Sequence, residues 1–205
     1  MTELRTIALG AAAGTVLLAL ATRTRAVQAI DDAVERAAGR ARARRIVHGA
    51  ARVGTLPGEP YMHPAIGAAI ALLLVASRGG PPLRVLAPLA TASLGAIAAH
   101  HAVKLFYRRR RPAIALRNGK TEPAYPSGHT TDATAVLVTG AYLLVREGVV
   151  PAEVAVPLAV TLALVTGVSR VLLGWHWATD VAGGWVTGIA VAAGSAGLYE
   201  MLVSR

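Results

Sequence analysis

Three short blocks in the second half of the chain carry the residue types that phosphoryl transfer requires. They lie at residues 104–112, 126–129 and 169–180, and between them they hold cations, a hydroxyl, two imidazoles and a carboxylate. Cations of this kind neutralise phosphate oxygens, and two histidines can act as nucleophile and proton donor. Because the blocks end long apolar stretches, they predict a site that acts on a lipid phosphate.

The third block joins Arg170 to His176 and Asp180. A spacing of four brings the His176 and Asp180 side chains onto one face of a helix. Asp180 can then accept from one imidazole nitrogen, which leaves the other nitrogen with its lone pair free to attack phosphorus. Taken alone, such a pair is more often a structural hydrogen bond, but the other two blocks favour a functional interpretation.

The second block, Pro126-Ser127-Gly128-His129, comes directly before an apolar segment. This position predicts a helix N-terminus, where unpaired N–H groups bind anions. Ser127 adds a donor, Gly128 lets the backbone approach a phosphate, and a protonated His129 can donate to the leaving group. The alternative is a capping turn with no further role.

The first block places Lys104 and Arg111 seven positions apart. Two helical turns separate them, so both are expected to face one side of a helix that extends from the preceding apolar segment. Arg108 shares that face, whereas Arg109 and Arg110 are expected to point elsewhere. The alternative is that these basic residues only anchor a membrane span at the interface.

The composition indicates the elements that position these blocks. Of 205 residues, 54% are hydrophobic and only 16% are charged, and there is no cysteine. This balance predicts one integral membrane domain over residues 1–205, and the many small residues favour a helix bundle. Residues 1–60 would form the first span and an interfacial segment, and residues 61–205 the core with the motifs. No nucleic-acid partner is expected.

Six apolar segments predict an all-α bundle of six transmembrane helices. They run over residues 6–22, 64–77, 85–103, 130–145, 154–173 and 179–203, with a tight turn at 79–82 after the second. Segments shorter than about 20 residues can draw in polar neighbours that face the bundle interior. With six spans, all three blocks fall on the same side of the membrane.

The stretch between the first two segments predicts an amphipathic helix at the membrane surface. Its apolar residues recur at helical spacing, at Val27, Ile30, Val34, Ala37 and Ala41. Such a pattern is typical of a helix lying in the interface. The arginines of residues 36–45 either hold anionic headgroups or form a solvated basic face.

Together the three blocks resemble the signature of the phosphatidic acid phosphatase type 2 superfamily, which also contains vanadium haloperoxidases. The resemblance covers residues 104–180 and every signature position. It implies metal-independent hydrolysis of a lipid phosphate through a phosphohistidine, with His176 as nucleophile, Asp180 as its orienting partner and His129 as general acid. It also implies a set of groups that bind the phosphoryl oxygens: Lys104, Arg111, Ser127, Gly128 and Arg170.

No metal site or cofactor is expected. Asp31 and Asp32 lie in the surface segment without histidines nearby, and His100 and His101 lie on the third segment without a carboxylate partner. We therefore interpret these histidines as interior or interfacial polar residues and expect activity to persist in a chelator.

Two other functions remain open from the sequence. A haloperoxidase-like enzyme would use the same cations for vanadate held by His176, although that branch is soluble. A noncatalytic lipid-phosphate binding or transport protein could use a basic intramembrane pocket, but it would have little need of His129, His176 and Asp180.

The orientation and the lipid follow less directly. Most of the 21 Lys and Arg residues fall on the motif side, which the positive-inside rule would place in the cytoplasm. The family resemblance favours the extracytoplasmic face of a bacterial plasma membrane, and we adopt it because several of these cations serve phosphate binding. Undecaprenyl pyrophosphate, phosphatidylglycerol phosphate, phosphatidic acid and a polyprenyl phosphosugar phosphate all fit the motifs, and the oligomeric state leaves no signature.

Overall fold

The chain folds into helices joined by short connections. The computed structural model describes residues 1–78 and 82–204, and within these ranges the chain has no β-strand. The helices are α1 (Thr2–Ala21), α2 (Arg25–Arg42), α3 (Arg45–Gly54), α4 (Met62–Arg78), α5 (Leu83–Phe106), α6 (Ala113–Arg117), α7 (Gly128–Arg146), α8 (Ala152–Leu172) and α9 (Ala178–Val203). The turn predicted at 79–82 lies outside the described residues except for Pro82.

Several helices are long and apolar enough to cross a membrane. Among the described residues four meet this condition, namely α1, α5, α8 and α9. A bent pair, Arg45–Gly58 with Met62–Ser77, adds a fifth candidate if its two arms, 58° apart, form one broken span. The structure therefore confirms an all-α bundle of membrane helices, while the count of six spans stays a prediction.

The helix α7 occupies the centre of the bundle. It packs against α4, α5, α8 and α9, and most of its side chains are buried, including the polar Thr131, Asp132 and Thr134. Because α7 meets protein on all these sides, it can carry polar residues that a lipid-facing helix could not. These polar residues explain why α7 is less hydrophobic than the four helices that meet the condition for a membrane span.

Glycines on α9 allow it to lie close to α7. A Cβ atom at Gly184 would lie 2.8 Å from the Thr130 Cβ, and one at Gly188 would lie 2.6 Å from the Thr134 Cβ. Residues four apart share one helix face, so the two glycines form a groove that receives the threonines of α7. This contact fixes the two helices that begin in the second and third blocks.

The segment predicted as one surface helix consists of two helices, α2 and α3. They meet at Ala43 and Arg44, and α2 packs along α8 and α9. Ile30, expected on the apolar face, is 58% exposed, whereas Asp31 is only 2% exposed. The buried face of α2 is therefore rotated from the predicted one. Its placement at the membrane interface stays a prediction.

Candidate active site

His176 lies in the loop between α8 and α9, at one end of the bundle. Gly174 has a φ of +69°, a conformation open to glycine, and it turns the chain back so that His176 is buried. The imidazole Nε2 lies 3.1 Å from a guanidinium nitrogen of Arg111, which can only donate. Burial, and then the charges of Arg111 and Arg170, hold the pKa of His176 well below its usual range. The ring is thus neutral, and Nε2 carries its lone pair.

Asp180, in the first turn of α9, is fully buried beside His176. Its Oδ2 accepts from the Trp177 backbone N–H at 2.9 Å and lies 3.5 Å from His176 Nδ1. That second distance is long and poorly directed for a hydrogen bond, so His176 Nδ1 has no hydrogen-bond partner among the described residues. Hydrogen bonds between catalytic groups are often long in the absence of substrate, so the predicted pairing of Asp180 with His176 stays a prediction.

Arg111 reaches His176 from a segment without regular secondary structure rather than from a helix. The predicted continuous helix carrying Lys104 and Arg111 is wrong, because α5 ends at Phe106. Pro112 disfavours a helical conformation at the residue before it, which is Arg111. The Arg111 guanidinium donates to the Trp175 carbonyl at 2.9 Å and to the Glu122 carbonyl at 2.8 Å. Burial lowers its pKa from the ordinary arginine value.

Arg109, which the sequence interpretation turned away from the site, joins α2 to α9. Its guanidinium donates to Asp31 Oδ2 at 2.6 Å, to Asp180 Oδ1 at 2.8 Å and to Thr179 Oγ1 at 2.6 Å. Burial alone would lower the pKa of Arg109, but Asp180 and Asp31 raise it above the ordinary value. Arg109 therefore holds the carboxylate that faces His176.

One sequence signal pointed to this buried ion pair. Asp31 falls between Val27 and Val34 on the face of α2 that turns inward, and an acid on an apolar face needs a buried partner. No comparable signal marked Arg109, because helical periodicity does not apply to the irregular segment where it lies.

The second block forms the N-terminus of α7, as predicted. The Ser127 N–H, however, donates to the Asp180 carbonyl at 3.0 Å and is not available to a ligand. The Ser127 Oγ accepts from the Thr130 hydroxyl at 2.9 Å, so its own proton remains free to donate. The first N–H groups of the helix, from Gly128 onward, are the remaining anion donors.

His129 and Arg170 both contact the turn between α3 and α4. His129 Nε2 lies 3.2 Å from Glu59 Oε1, and Arg170 donates to Thr55 Oγ1 at 2.7 Å. The Arg170 guanidinium also lies over the Trp175 ring, 4.2 Å from its centre. Nothing in the sequence identified Glu59, Thr55 or Trp175 as neighbours of the site.

Lys104, in the last turn of α5, completes the set of cations. It is half-buried, and its charge interacts with those of Arg111 and Glu122. The structure thus brings all eight predicted site residues to one end of the bundle, around His176 and the N-terminus of α7. Their individual roles stay predictions.

The statement that His100 lacks a carboxylate partner is wrong. His100 Nε2 lies 3.4 Å from Asp132 Oδ1, a residue of α7, and His63 of α4 lies on the other side of the same carboxylate at 4.0 Å. These residues form a polar cluster behind Gly128, whose missing Cβ would lie 3.1 Å from the His100 ring. Across residues 1–78 and 82–204, no group of three or more His, Cys, Asp or Glu side chains has an arrangement that could hold a metal ion.

The motif geometry agrees with comparisons to known proteins. Residues 85–203 match the PAP2 superfamily, which covers more than half of the chain. The chain belongs to the PAP2 superfamily. Phosphatidylglycerophosphatase B of Bacillus subtilis (strain 168) is 28% identical over 179 residues, which is 85% of each protein.

The fold of nearly the whole chain also agrees with the assignment to the PAP2 superfamily. The chain is similar to the crystal structure of the first transmembrane PAP2 type phosphatidylglycerolphosphate phosphatase from Bacillus subtilis, with a TM-score of 0.84 and 26% identity. The match covers 95% of this chain and 96% of that one. This PAP2 protein is therefore a multi-pass membrane enzyme, a lipid phosphate phosphatase, as predicted.

Proposed function

We propose that this PAP2 enzyme removes the terminal phosphate of phosphatidylglycerol phosphate through a phosphohistidine on His176. Phosphatidylglycerophosphatase B of Bacillus subtilis and the similar Bacillus subtilis crystal structure are both named for that substrate, which supports the choice of lipid. The observation that carries the mechanism is the buried His176, whose Nε2 lies 3.1 Å from the Arg111 guanidinium, a group that can only donate. Among the candidate lipids, phosphatidylglycerol phosphate is therefore the first substrate to test.

In the first step, the substrate phosphate takes the Arg111 guanidinium away from His176 Nε2. The freed lone pair attacks phosphorus, and the bond from phosphorus to the lipid oxygen breaks. His129 gives its proton to that oxygen, so the lipid leaves as an alcohol. Asp180 closes on Nδ1 and stabilises the positive charge that develops on His176.

In the second step, water attacks the phosphorus of the phosphohistidine. His129, now neutral, takes the proton of the water, the bond from phosphorus to Nε2 breaks, and inorganic phosphate leaves. The enzyme returns to its starting protonation state.

Charge on the equatorial oxygens is stabilised by cations and helix-terminal donors. Lys104, Arg111 and Arg170 supply positive charge, and Ser127 Oγ and the Gly128 N–H supply hydrogen bonds. These groups take the role that a metal ion has in many other phosphatases. The enzyme is expected to work without a metal or other cofactor.

We further propose that α4 and α7 complete a bundle of six spans. The α7 helix falls short in hydropathy because its polar side chains are enclosed by neighbouring helices, which supports counting it as a span. With six spans the active site would lie on the side opposite both termini, and we propose from the family resemblance that this side is the extracytoplasmic face. Cysteine placed at Thr121, in this cysteine-free chain, would then react with a membrane-impermeant thiol reagent in intact cells.

The test of the reaction is phosphate release by the purified enzyme in detergent. The lipids are phosphatidylglycerol phosphate, phosphatidic acid and undecaprenyl pyrophosphate, each with and without EDTA. We expect turnover that survives EDTA, is fastest with phosphatidylglycerol phosphate, and falls by at least about 10³-fold in His176→Ala.

His48→Ala is the matched control, because His48 is an exposed histidine of α3, away from the blocks. Loss of turnover in EDTA would contradict the metal-independent mechanism. A faster reaction with one of the other lipids would overturn the choice of substrate while leaving the mechanism intact.

A further inference from the structure

The turn between α3 and α4 lies against the active site although none of the three motif blocks includes it. It contains Thr55, the short 3-10 helix Leu56–Gly58 and Glu59. The PAP2 match begins only at residue 85, so the family signature assigns nothing here. Yet this turn contacts two residues of the site, Arg170 and His129.

The contacts of the turn with His129 are close and involve both backbone and side chain. A Cβ atom at Gly58 would lie 2.7 Å from the His129 Cβ and would also contact the His129 carbonyl oxygen. Glycine therefore lets the turn reach His129, and Glu59 places its Oε1 3.2 Å from the imidazole Nε2. Thr55, at the other end of the turn, accepts from Arg170.

The charges around His129 are mostly positive, so a protonated imidazole there requires a nearby carboxylate such as that of Glu59. The groups that act on its imidazole from the neighbouring elements are Arg170 of α8, His176 of the following loop, Lys104 of α5 and Lys120 of the loop before α7. Burial disfavours a positive charge on the His129 imidazole, and the three cations Arg170, Lys104 and Lys120 disfavour it further. A general acid must nevertheless carry its proton when the lipid oxygen leaves.

We propose that Glu59 is the positioning carboxylate of His129, so that the active site contains two histidine–carboxylate pairs, one for the nucleophile and one for the acid. This inference rests on the proposed function and extends its site to residues 55–59. The two pairs come from different parts of the fold, since Asp180 is local to His176 while Glu59 is 70 positions from His129.

The pair settles which nitrogen of His129 exchanges the proton. Nε2 faces Glu59 Oε1 at 3.2 Å, so we assign the retained proton to Nε2 and the exchanged proton to Nδ1. In the first step Nδ1 gives its proton to the lipid oxygen as the bond to phosphorus breaks. In the second step Nδ1 takes a proton from water as the bond from phosphorus to His176 breaks.

Physical arguments favour the positioning role of the Glu59–His129 pair over a purely structural one. The side chains of Glu59 and His129 are each 24% exposed, and ion pairs open to solvent add little to the stability of a fold. Loss of the Glu59 carboxylate should therefore act on proton transfer to the leaving group rather than on stability. The size of that effect depends on how much the leaving group needs a proton, which distinguishes the proposal from a structural role.

The test compares Glu59→Gln with the wild-type enzyme on two substrates, a lipid phosphate and p-nitrophenyl phosphate, from about pH 5 to about pH 9. The quantity measured is kcat/KM, which reports the steps up to loss of the leaving group. We expect a loss of about tenfold or more with the lipid and a smaller loss with the aryl phosphate, because a nitrophenolate leaves without a proton.

The pH profile gives a second readout. Loss of the carboxylate destabilises the imidazolium, so His129 loses its proton at lower pH and the alkaline limb for the lipid moves to lower pH. In a His129→Ala background, Glu59→Gln is expected to cause no further loss. The matched control is Glu153→Gln, an exposed carboxylate at the first turn of α8, far from Arg170 at its other end, and it should behave as wild type.

Equal losses on both substrates with an unmoved alkaline limb would overturn the proposal and leave Glu59 a structural residue. A rise in kcat/KM would also overturn it, because the carboxylate would then be blocking the site. If the wild-type enzyme itself released no phosphate, the proposed function would be at fault rather than the role of Glu59.

Discussion

Removal of the Arg109 guanidinium tests the buried ion network behind the nucleophile. Arg109→Ala leaves Asp31 and Asp180, which are 2% and 0% exposed as side chains, without their common cation. Breaking a buried pair by removing one partner typically costs about 3–5 kcal/mol. Each carboxylate keeps other donors, since the Thr179 N–H still bonds Asp31 at 3.0 Å and the Trp177 N–H still bonds Asp180 at 2.9 Å. We therefore expect the lower end, about 3 kcal/mol.

The measurement is thermal unfolding in detergent, followed by tryptophan fluorescence. For a chain of this length, about 3 kcal/mol corresponds to a fall in Tm of roughly 6–12 °C. Arg110→Ala is the matched control, because the Arg110 side chain is exposed and has no hydrogen bond or ion pair with the described residues, while its backbone carbonyl accepts from Trp177 Nε1. At a temperature where Arg109→Ala remains folded, kcat is also expected to fall, because Asp180 has lost the donor that fixes it.

A second variant separates uncompensated charge from lost packing. Adding Asp31→Asn to Arg109→Ala removes one of the two unpaired carboxylates and should recover part of the lost Tm. The reasoning would be refuted if Arg109→Ala unfolded within about 2 °C of Arg110→Ala. It would also fail if Asp31→Asn lowered the Tm further in the Arg109→Ala background.

Two further predictions concern His176 and the contact between α9 and Tyr125, the residue before the second block. The pKa of His176 is lowered in the folded state. As the pH falls below about 6.5, the imidazole of the unfolded chain therefore takes up a proton while that of the folded chain does not. The free energy of unfolding then falls by up to about 1.4 kcal/mol per pH unit. Between pH 7.5 and about pH 5.5 the Tm of His176→Gln should therefore fall less than the Tm of the wild type or of the exposed-site control His48→Gln. An equal fall in the Tm of all three proteins would contradict the lowered pKa. Gly183→Ala would place a Cβ atom 2.6 Å from the Tyr125 hydroxyl, which donates to the Thr15 carbonyl, so we expect a destabilisation of about 1–3 kcal/mol in a thermal unfolding assay. Gly194→Ala on the same helix has open space and should be neutral; equal effects of the two substitutions would count against this packing.

Features that depend on residues close together in the chain could be predicted from the sequence. A helix of the structure covers each of the six apolar segments, because hydrophobic composition and helix propensity act locally. The family and the enzyme class also followed from the sequence, since the three blocks keep their chemistry wherever the fold places them. The proximity of His176 to Asp180 belongs here too, because both lie at the start of one helix.

Where a local rule was extended too far, the structure corrected it. Helical spacing was applied to Lys104 and Arg111, but the helix ends at Phe106, and Pro112 was the local sign that it would not continue as far as Arg111. The assumption of a continuous helix also led to the wrong prediction that Arg109 points away from the site. In α2, Asp31 on the inward face was the sign of a buried partner, although the partner itself could not be named.

The sequence by itself predicted a membrane protein built from helices and a lipid phosphate phosphatase of the PAP2 superfamily, and it supplied the candidate residues for the chemistry. Only the tertiary structure decided which partners those residues have. Arg109 reaches Asp31 across 78 positions, and Glu59 reaches His129 across 70. Such pairs depend on how helices pack and on the desolvation of the charges between them, and neither leaves a periodic pattern in the chain.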